Sequence, residues 1–168
     1  YSPPHQGVLF LYEEETSMKI LVSACLLGTP CRYDGRAKAN AAVLALGAEH
    51  ELIPVCPEVL GGLPTPRPPA ERRPGGRIVD RTGRDVTAEY EAGAAAAVEL
   101  ARREGCAAAV LKARSPSCGR GQIYDGSFSG RLAPGDGTAA RLLLDAGIAV
   151  LNEDETESYF QSLKERER

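Results

Sequence analysis

Val110-Leu-Lys-Ala-Arg-Ser-Pro-Ser-Cys-Gly119 joins an apolar run to a turn that ends in a thiol. The run Ala107 to Leu111 has the length and character of a buried strand. Pro116 lacks an N–H and cannot continue a central strand, so the chain turns there. Cys118 is thereby held on a stiff turn beyond a strand. The arrangement recurs twice: Ile20-Leu-Val-Ser-Ala24 runs into Cys25, and Leu52-Ile-Pro-Val55 runs into Cys56, followed by Pro57 and Glu58. Three apolar strands each end at or just before a cysteine.

The segments between these strands read as helices and loops. Lys19 to Ala24 is the first strand, apolar throughout from Ile20 to Val22, as in a sheet covered on both faces. Cys25 to Gly35 is a loop, Ala37 to His50 an alanine- and leucine-rich helix, and Glu51 to Val55 the second strand. Pro64 to Gly76, with five prolines and three basic residues, reads as a surface excursion. Arg77 to Val86 reads as a small hairpin turning near Gly83. Thr87 is the expected N-cap of a long helix to Glu104. Its early Glu89 and Glu91 and late Arg102 and Arg103 suit the helix dipole, and Gly105 stops it. After the third strand comes a long glycine-rich loop, Arg114 to Gly137, of the kind that is usually functional. A helix over Thr138 to Ala146, a strand over Ile148 to Leu151 and a polar helix over Glu153 to Arg168 complete the chain.

Strands alternating with helices predict an α/β fold, a single-domain, doubly wound, mainly parallel sheet in a Rossmann-like three-layer arrangement. Ligands in such sheets sit beyond the carboxyl ends of the strands. Cys25, Cys56 and Cys118 all fall at that edge, so three sequence-distant thiols converge on one crevice.

Composition narrows the chemistry. The chain has 168 residues, 43% of them hydrophobic, enough for one domain with a real core. The domain is expected over residues 18–168, with residues 1–17 an N-terminal extension outside the core. No run approaches the roughly 18 apolar residues of a membrane span. A net charge of −3, no tryptophan and 5% aromatics give neither the basic footprint nor the stacking platform of a nucleic-acid binder. Five cysteines, three of them following strands and none in a dense disulfide spacing, point to a reduced, cytoplasmic setting and to metal or catalytic use. Gly119-Arg-Gly121 and Gly126-Ser-Phe-Ser-Gly130 have neither the P-loop nor the Rossmann spacing, so a nucleotide cofactor is not indicated.

A closed structural zinc site takes four ligands, often in Cys-x-x-Cys pairs, and no such pair is present. Three thiolates suit a cluster or metal with one open position for a soft atom such as sulfur. Glu58 is placed to face the same crevice as an acid or base, although surface exposure is an equal reading of its spacing. Ser115 and Ser117 can cap the turn around Pro116, and Lys112 and Arg114 can be solvated. Asp34 and Asp125, each before a glycine, read as turn residues. Cys106, at the opposite strand end, reads as core. Cys31 is open between ligand, sulfur carrier and packed thiol. On these residues alone, three functions stand level: a cluster-dependent enzyme, a non-catalytic metal or redox-sensing module, and a sulfur-carrier or thiolation enzyme using Cys31.

Five segments in order resemble one family: Val22-Ser-Ala-Cys-Leu-Leu-Gly28, Cys31-Arg-Tyr-Asp-Gly35, Pro54-Val-Cys-Pro-Glu-Val-Leu-Gly-Gly-Leu63, Lys112-Ala-Arg-Ser-Pro-Ser-Cys-Gly119 and Ile123-Tyr-Asp-Gly-Ser-Phe-Ser-Gly130. They look like the thiouracil desulfidases, long catalogued as domain of unknown function 523, over Met18 to about Glu155. The resemblance implies a [4Fe-4S] cluster on Cys25, Cys56 and Cys118. It also implies a catalytic carboxylate at Glu58 and an assisting hydroxyl at Ser115. The implied reaction takes sulfur from a thiolated pyrimidine, 2-thiouracil giving uracil and hydrosulfide, with the cluster as Lewis acid. The expected partner is that small thiolated nucleobase, with no nucleic acid and no membrane, and the chain is expected as a monomer or weak homodimer.

Overall fold

A computed structural model describes residues 17–166; the expected extension therefore lies outside the described residues, apart from Ser17. The core is a four-stranded parallel sheet built from β1 (Lys19–Ser23), β2 (Glu51–Val55), β5 (Ala108–Leu111) and β8 (Ala149–Asn152). Its order is β2-β1-β5-β8, with Ser23 beside Val55, Val22 beside Val110 and Leu111 beside Asn152. Pro54 is tolerated because β2 is an edge strand.

Alternation along the strands divides the apolar side chains between two faces. Leu21, Ala109, Leu111 and Val150 pack with Ala97, Ala101 and Leu143, which belong to α3 (Thr87–Glu104) and α4 (Thr138–Asp145). Ile20, Val22, Val110 and Leu151 face the other way, onto Val43 of α1 (Ala41–Ala45) and Phe160 of α5 (Thr156–Arg166). The result is the expected three-layer α/β arrangement. From β1 the chain moves outward to β2, then returns to β5 on the other flank of β1. The switch point therefore lies between β1 and β5, and their carboxyl ends open into a crevice.

Several local expectations need correction. The helix expected over Ala37 to His50 is only α1, extended by a 3₁₀ turn at Leu46–Ala48, because Asn40 caps it by accepting the Val43 N–H at 3.1 Å. Thr87 is not the N-cap: it is already helical and buried, and its Oγ1 accepts the Ile78 N–H at 2.9 Å. α3 does end as expected, at Gly105 in a left-handed conformation. The Pro64 to Gly76 segment is not purely superficial. It contains β3 (Ala70–Arg72), antiparallel to β4 (Ile78–Asp80), and buries Arg67 and Glu71. The glycine-rich loop holds a two-stranded ribbon, β6 (Gln122–Tyr124) with β7 (Leu132–Pro134).

One contact sets the height of the second cysteine loop. α2 (Pro57–Leu60) crosses α3 where Gly61 meets Gly93, and a Cβ on Gly93 would fall 1.9 Å from the Pro57 carbonyl oxygen. Backbone touches backbone, so the Cys56-Pro57-Glu58 turn is seated directly on α3. Gly93→Ala is expected to lower stability by about 1–3 kcal/mol, the usual cost of overpacking, read from urea unfolding midpoints. An unchanged midpoint would show that the crossing has slack.

Candidate active site

Above the carboxyl ends of the strands lies a cleft of about 600 Å³. Cys25, Cys56 and Cys118 line it together, as their positions after β1, β2 and β5 predict, and so does Cys31. All five cysteines are free thiols, and Cys106 is buried in the core rather than in the cleft. Cys25 rides on the 3₁₀ turn Ala24–Leu27, and Cys56 precedes the first residue of α2.

The loop carrying Cys118 is fixed at both ends. Ser115 Oγ accepts the Cys118 N–H at 2.7 Å, so this serine does cap the turn, and it lines the cleft as well. The Ser117 carbonyl accepts the Ala139 N–H of α4 at 2.9 Å. The Lys112 N–H reaches Ser23 Oγ at 2.9 Å, tying the exit of β5 to the exit of β1. Lys112 itself is not solvated: its Nζ pairs with Glu153 at 2.8 Å. Arg114 is exposed and borders the cleft. Asp34 and Asp125 are turn residues, accepting the N–H groups of Arg36 and Ser127.

The thiols interact. Cys31 hydrogen-bonds to Cys25, which holds Cys25 below the ordinary thiol range against the effect of burial. The same bond pushes Cys31 up. Cys56 is pushed up first by its own bond to Cys31 and then by burial. Burial pushes Cys118 up to about 12. Cys31 is thus the middle of a chain from Cys56 to Cys25, and a metal that takes these thiols as thiolates must displace their protons.

Glu58 faces the cleft and has two strong partners. Tyr90 Oη donates to its Oε1 at 2.7 Å, and Arg67 Nε donates to the same oxygen at 3.1 Å. Among the described residues no donor is placed on Oε2. Arg67 also donates to the carbonyls of Pro64 and Cys31, at 3.1 and 2.9 Å, and to Thr65 Oγ1 at 3.0 Å. One guanidinium therefore joins the Cys31 loop, the proline-rich segment and the carboxylate. Burial, then the Glu58 charge, pushes the Tyr90 phenol up, so it remains a donor.

Sequence reasoning passed over both partners of Glu58. Arg67 hides in Pro64-Thr-Pro-Arg-Pro68, a composition that reads as surface; its signal was a cation in a stiff segment a few residues after Glu58. Tyr90 shares a helical stripe with Ala94, Ala97 and Ala101, and a phenol on a buried stripe calls for a polar partner.

The donor set fits an iron–sulfur cluster: three soft thiols on three separate loops, around one roomy cleft. Among the described residues no three His, Cys, Asp or Glu side chains close on a point that a single metal ion could occupy. That is no obstacle to a cluster, whose irons and sulfides lie between the thiolates that hold it.

Comparison with known proteins follows the same lines. Residues 20–155 match the model of the 2-thiouracil desulfurase family. The chain belongs to that family. A protein of Bacillus subtilis (strain 168), YbbK, described as uncharacterised, is 43% identical over 145 residues, covering 81% of this chain and 96% of its own. The solved structure of a [4Fe-4S]-dependent thiouracil desulfidase, TudS, is 48% identical. It superposes with a TM-score of 0.80 over 88% of this chain and 98% of its own. The family match covers the desulfurase segments that carry Cys25, Cys56, Glu58, Ser115 and Cys118.

The Arg67–Glu58 pair gives a stability prediction. Both side chains are largely buried, 4% and 17% exposed, so removing the cation strands a carboxylate. Arg67→Met is expected to cost about 3 kcal/mol, within the range for breaking a buried pair, measured by urea denaturation. A cost under about 1 kcal/mol, the range of exposed pairs, would mean that water reaches Glu58 freely.

Proposed function

We propose that this protein is a [4Fe-4S]-dependent desulfidase that hydrolyses a thiolated pyrimidine, 2-thiouracil being the simplest substrate. Supporting the reading above all is the convergence of Cys25, Cys56 and Cys118 on one cleft beside a two-donor carboxylate, in a chain 48% identical to TudS. Overall, water replaces sulfur: the C=S bond gives way to C=O, sulfur leaves as hydrosulfide, and no electrons are gained or lost.

When bound, the cluster would be held by Cys25, Cys56 and Cys118 and would supply an iron free of protein thiolate, a Lewis acid for a soft thiocarbonyl sulfur. The remaining work falls to side chains. Glu58 lines the cleft and is fixed through Oε1 by Tyr90 and Arg67, which leaves Oε2 to take a proton from the attacking water. Ser115 accepts the Cys118 N–H and keeps its own hydroxyl proton to donate to the substrate. The closed seat of the Cys56-Pro57-Glu58 turn on α3 keeps the carboxylate and the thiols in one geometry.

Neither of the other functions needs this arrangement. A metal or redox sensor has no use for a carboxylate held by two donors, and a sulfur carrier needs an exposed nucleophile, whereas Cys31 is half-buried and engaged with two other thiols.

The charge of the cleft narrows the substrate. Arg32, Lys38, Arg81 and Arg114 border it, and none of the four pairs with a carboxylate among the described residues. A cationic mouth on a chain of net charge −3 fits a base that carries an anionic group such as a nucleotide phosphate. We propose the cytoplasm as its location, on the strength of five cysteines kept as free thiols. No helix among the described residues is long and apolar enough to cross a membrane.

Anaerobic purification followed by iron and sulfide analysis and 2-thiouracil turnover is the direct test. Four irons per chain, with hydrosulfide and uracil formed in equal amounts, is the expected result. Cys25→Ser, Cys56→Ser and Cys118→Ser should each lose iron. Glu58→Gln should keep its iron and lose at least 100-fold in kcat, in line with general acid–base catalysis. Iron retained in all three cysteine variants, or full turnover in Glu58→Gln, would overturn the assignment. A thiolated uridine monophosphate should show a lower KM than the free base, with the advantage shrinking as salt rises. Equal, salt-independent KM values would remove the anionic group from the substrate.

A further inference from the structure

Among the described residues only two non-glycine residues have positive φ, Arg114 at 75° and Phe128 at 55°, and both line the cleft. For a bulky side chain such a conformation is costly and persists only where surrounding contacts enforce it; such residues cluster at functional sites. At Phe128 the enforcing contacts are visible. Glu71, on β3, is 8% exposed and has no cation paired with it among the described residues. Its Oε1 accepts the Gly126 N–H at 3.0 Å and the Phe128 N–H at 3.1 Å. Burying a carboxylate without a counter-ion is unfavourable, and these two bonds are what it gains.

The same loop is pressed onto β3 by its backbone. A Cβ on Gly126 would lie 2.7 Å from the Arg72 carbonyl oxygen, so the loop touches the strand there. Arg81 then sits over the Phe128 ring, 5.5 Å from its centroid. The Arg114 carbonyl accepts the Tyr124 N–H at 3.2 Å, which joins the loop to the turn that carries Ser115 and Cys118. Residues 125–130 are therefore clamped from three sides, and the outcome is one half-buried aromatic ring held in the cleft wall.

We infer that Phe128 is a substrate-binding residue, a stacking surface for the flat pyrimidine ring, and that Glu71 is the positioning residue that latches it in place. This rests on the desulfidase reading for the identity of the substrate, but not for the existence of the surface. A planar heterocycle gains from an aromatic face, whichever atom later reacts. The role accounts for the buried carboxylate, the left-handed phenylalanine and the cation over its ring, none of which the hydrolysis uses.

The test compares wild type with Phe128→Gly, Phe128→Tyr, Glu71→Ala and the Phe128→Gly/Glu71→Ala double variant, all cluster-loaded. Glycine adopts a φ near 55° without strain, so Phe128→Gly keeps the loop and removes only the ring. KM for 2-thiouracil and Kd for uracil, by calorimetry, should both rise about tenfold in Phe128→Gly, the scale of one lost stack. The loss falls on KM rather than kcat, and the unfolding midpoint is held. Phe128→Tyr should restore both constants to near wild type. Glu71→Ala should raise them similarly, and the double variant should go no further than Phe128→Gly, because the two act as one unit. Wild-type KM and Kd in Phe128→Gly would overturn the inference, as would additive losses in the double variant for the role of Glu71. Wild-type protein that binds uracil without turning over 2-thiouracil would sink the desulfidase reading, and the uracil ratios would still decide for or against Phe128. Wild-type protein that binds neither compound would sink both.

Discussion

β1 lies between β2 and β5, parallel to both, and the rest of the molecule is arranged around that fact. Parallel pairing in this register brings Val22, Pro54 and Val110 to a common level, so the residues that follow each strand emerge at one edge. Hydrogen bonds of the parallel ladder do not care which side chain comes next. They make the edge, and the sequence then places a cysteine within a few residues of each exit. Because the chain leaves β1 toward β2 and returns on the far side at β5, no connection crosses the space above their carboxyl ends. A cleft at that point is a consequence of topology, before any side chain is considered.

Holding the loops above the edge is a separate problem, and charge solves it. Glu58 and Arg67 are both withdrawn from water, which neither could sustain alone. Paired, they neutralise one another, and the remaining guanidinium donors reach carbonyls on two other loops. Tyr90 adds a second donor to Glu58 from α3 beneath. The network therefore couples the Cys31 loop, the proline-rich segment and the turn after Cys56 to a helix that packs on the sheet. It also concentrates both of its donors on one carboxylate oxygen. An oxygen doubly bound in this way orients the carboxylate as a whole, which is what a group that must receive a proton in one place requires.

This division explains what could be read from the sequence. The parallel sheet, its layers and the convergence of Cys25, Cys56 and Cys118 follow from apolar runs, alternation and strand order, all of them local or topological signals. Glu58 was visible because Cys56 and Pro57 carry it along. Arg67 and Glu71 were not visible, because a segment rich in proline and arginine has the composition of a surface loop. Only the tertiary pairing of each with a partner tens of residues away in sequence, Tyr33 and Cys31 for Arg67 and Gly126 and Phe128 for Glu71, takes it inside. Thr87 shows the same override on a smaller scale. Its hydroxyl suits a cap by propensity, but the Ile78 N–H of β4 competes for it and wins.

The long glycine-rich loop carries the argument one step further. Read from the sequence as a functional loop, it is held firmly in place: it contains a two-stranded ribbon, a carbonyl contact at Gly126 and a buried carboxylate across its backbone N–H groups. Glycine here serves close approach rather than motion, since a Cβ at Gly126 would collide with β3. A loop that were free to move would present its aromatic ring to the cleft only part of the time, and every encounter would bear the entropy of ordering it. Fixing the loop in the folded protein transfers that cost from the binding step to the folding step, where the large core of the three-layer sheet can carry it. The strained φ of Phe128 and the unpaired charge of Glu71 are the local form of that transfer.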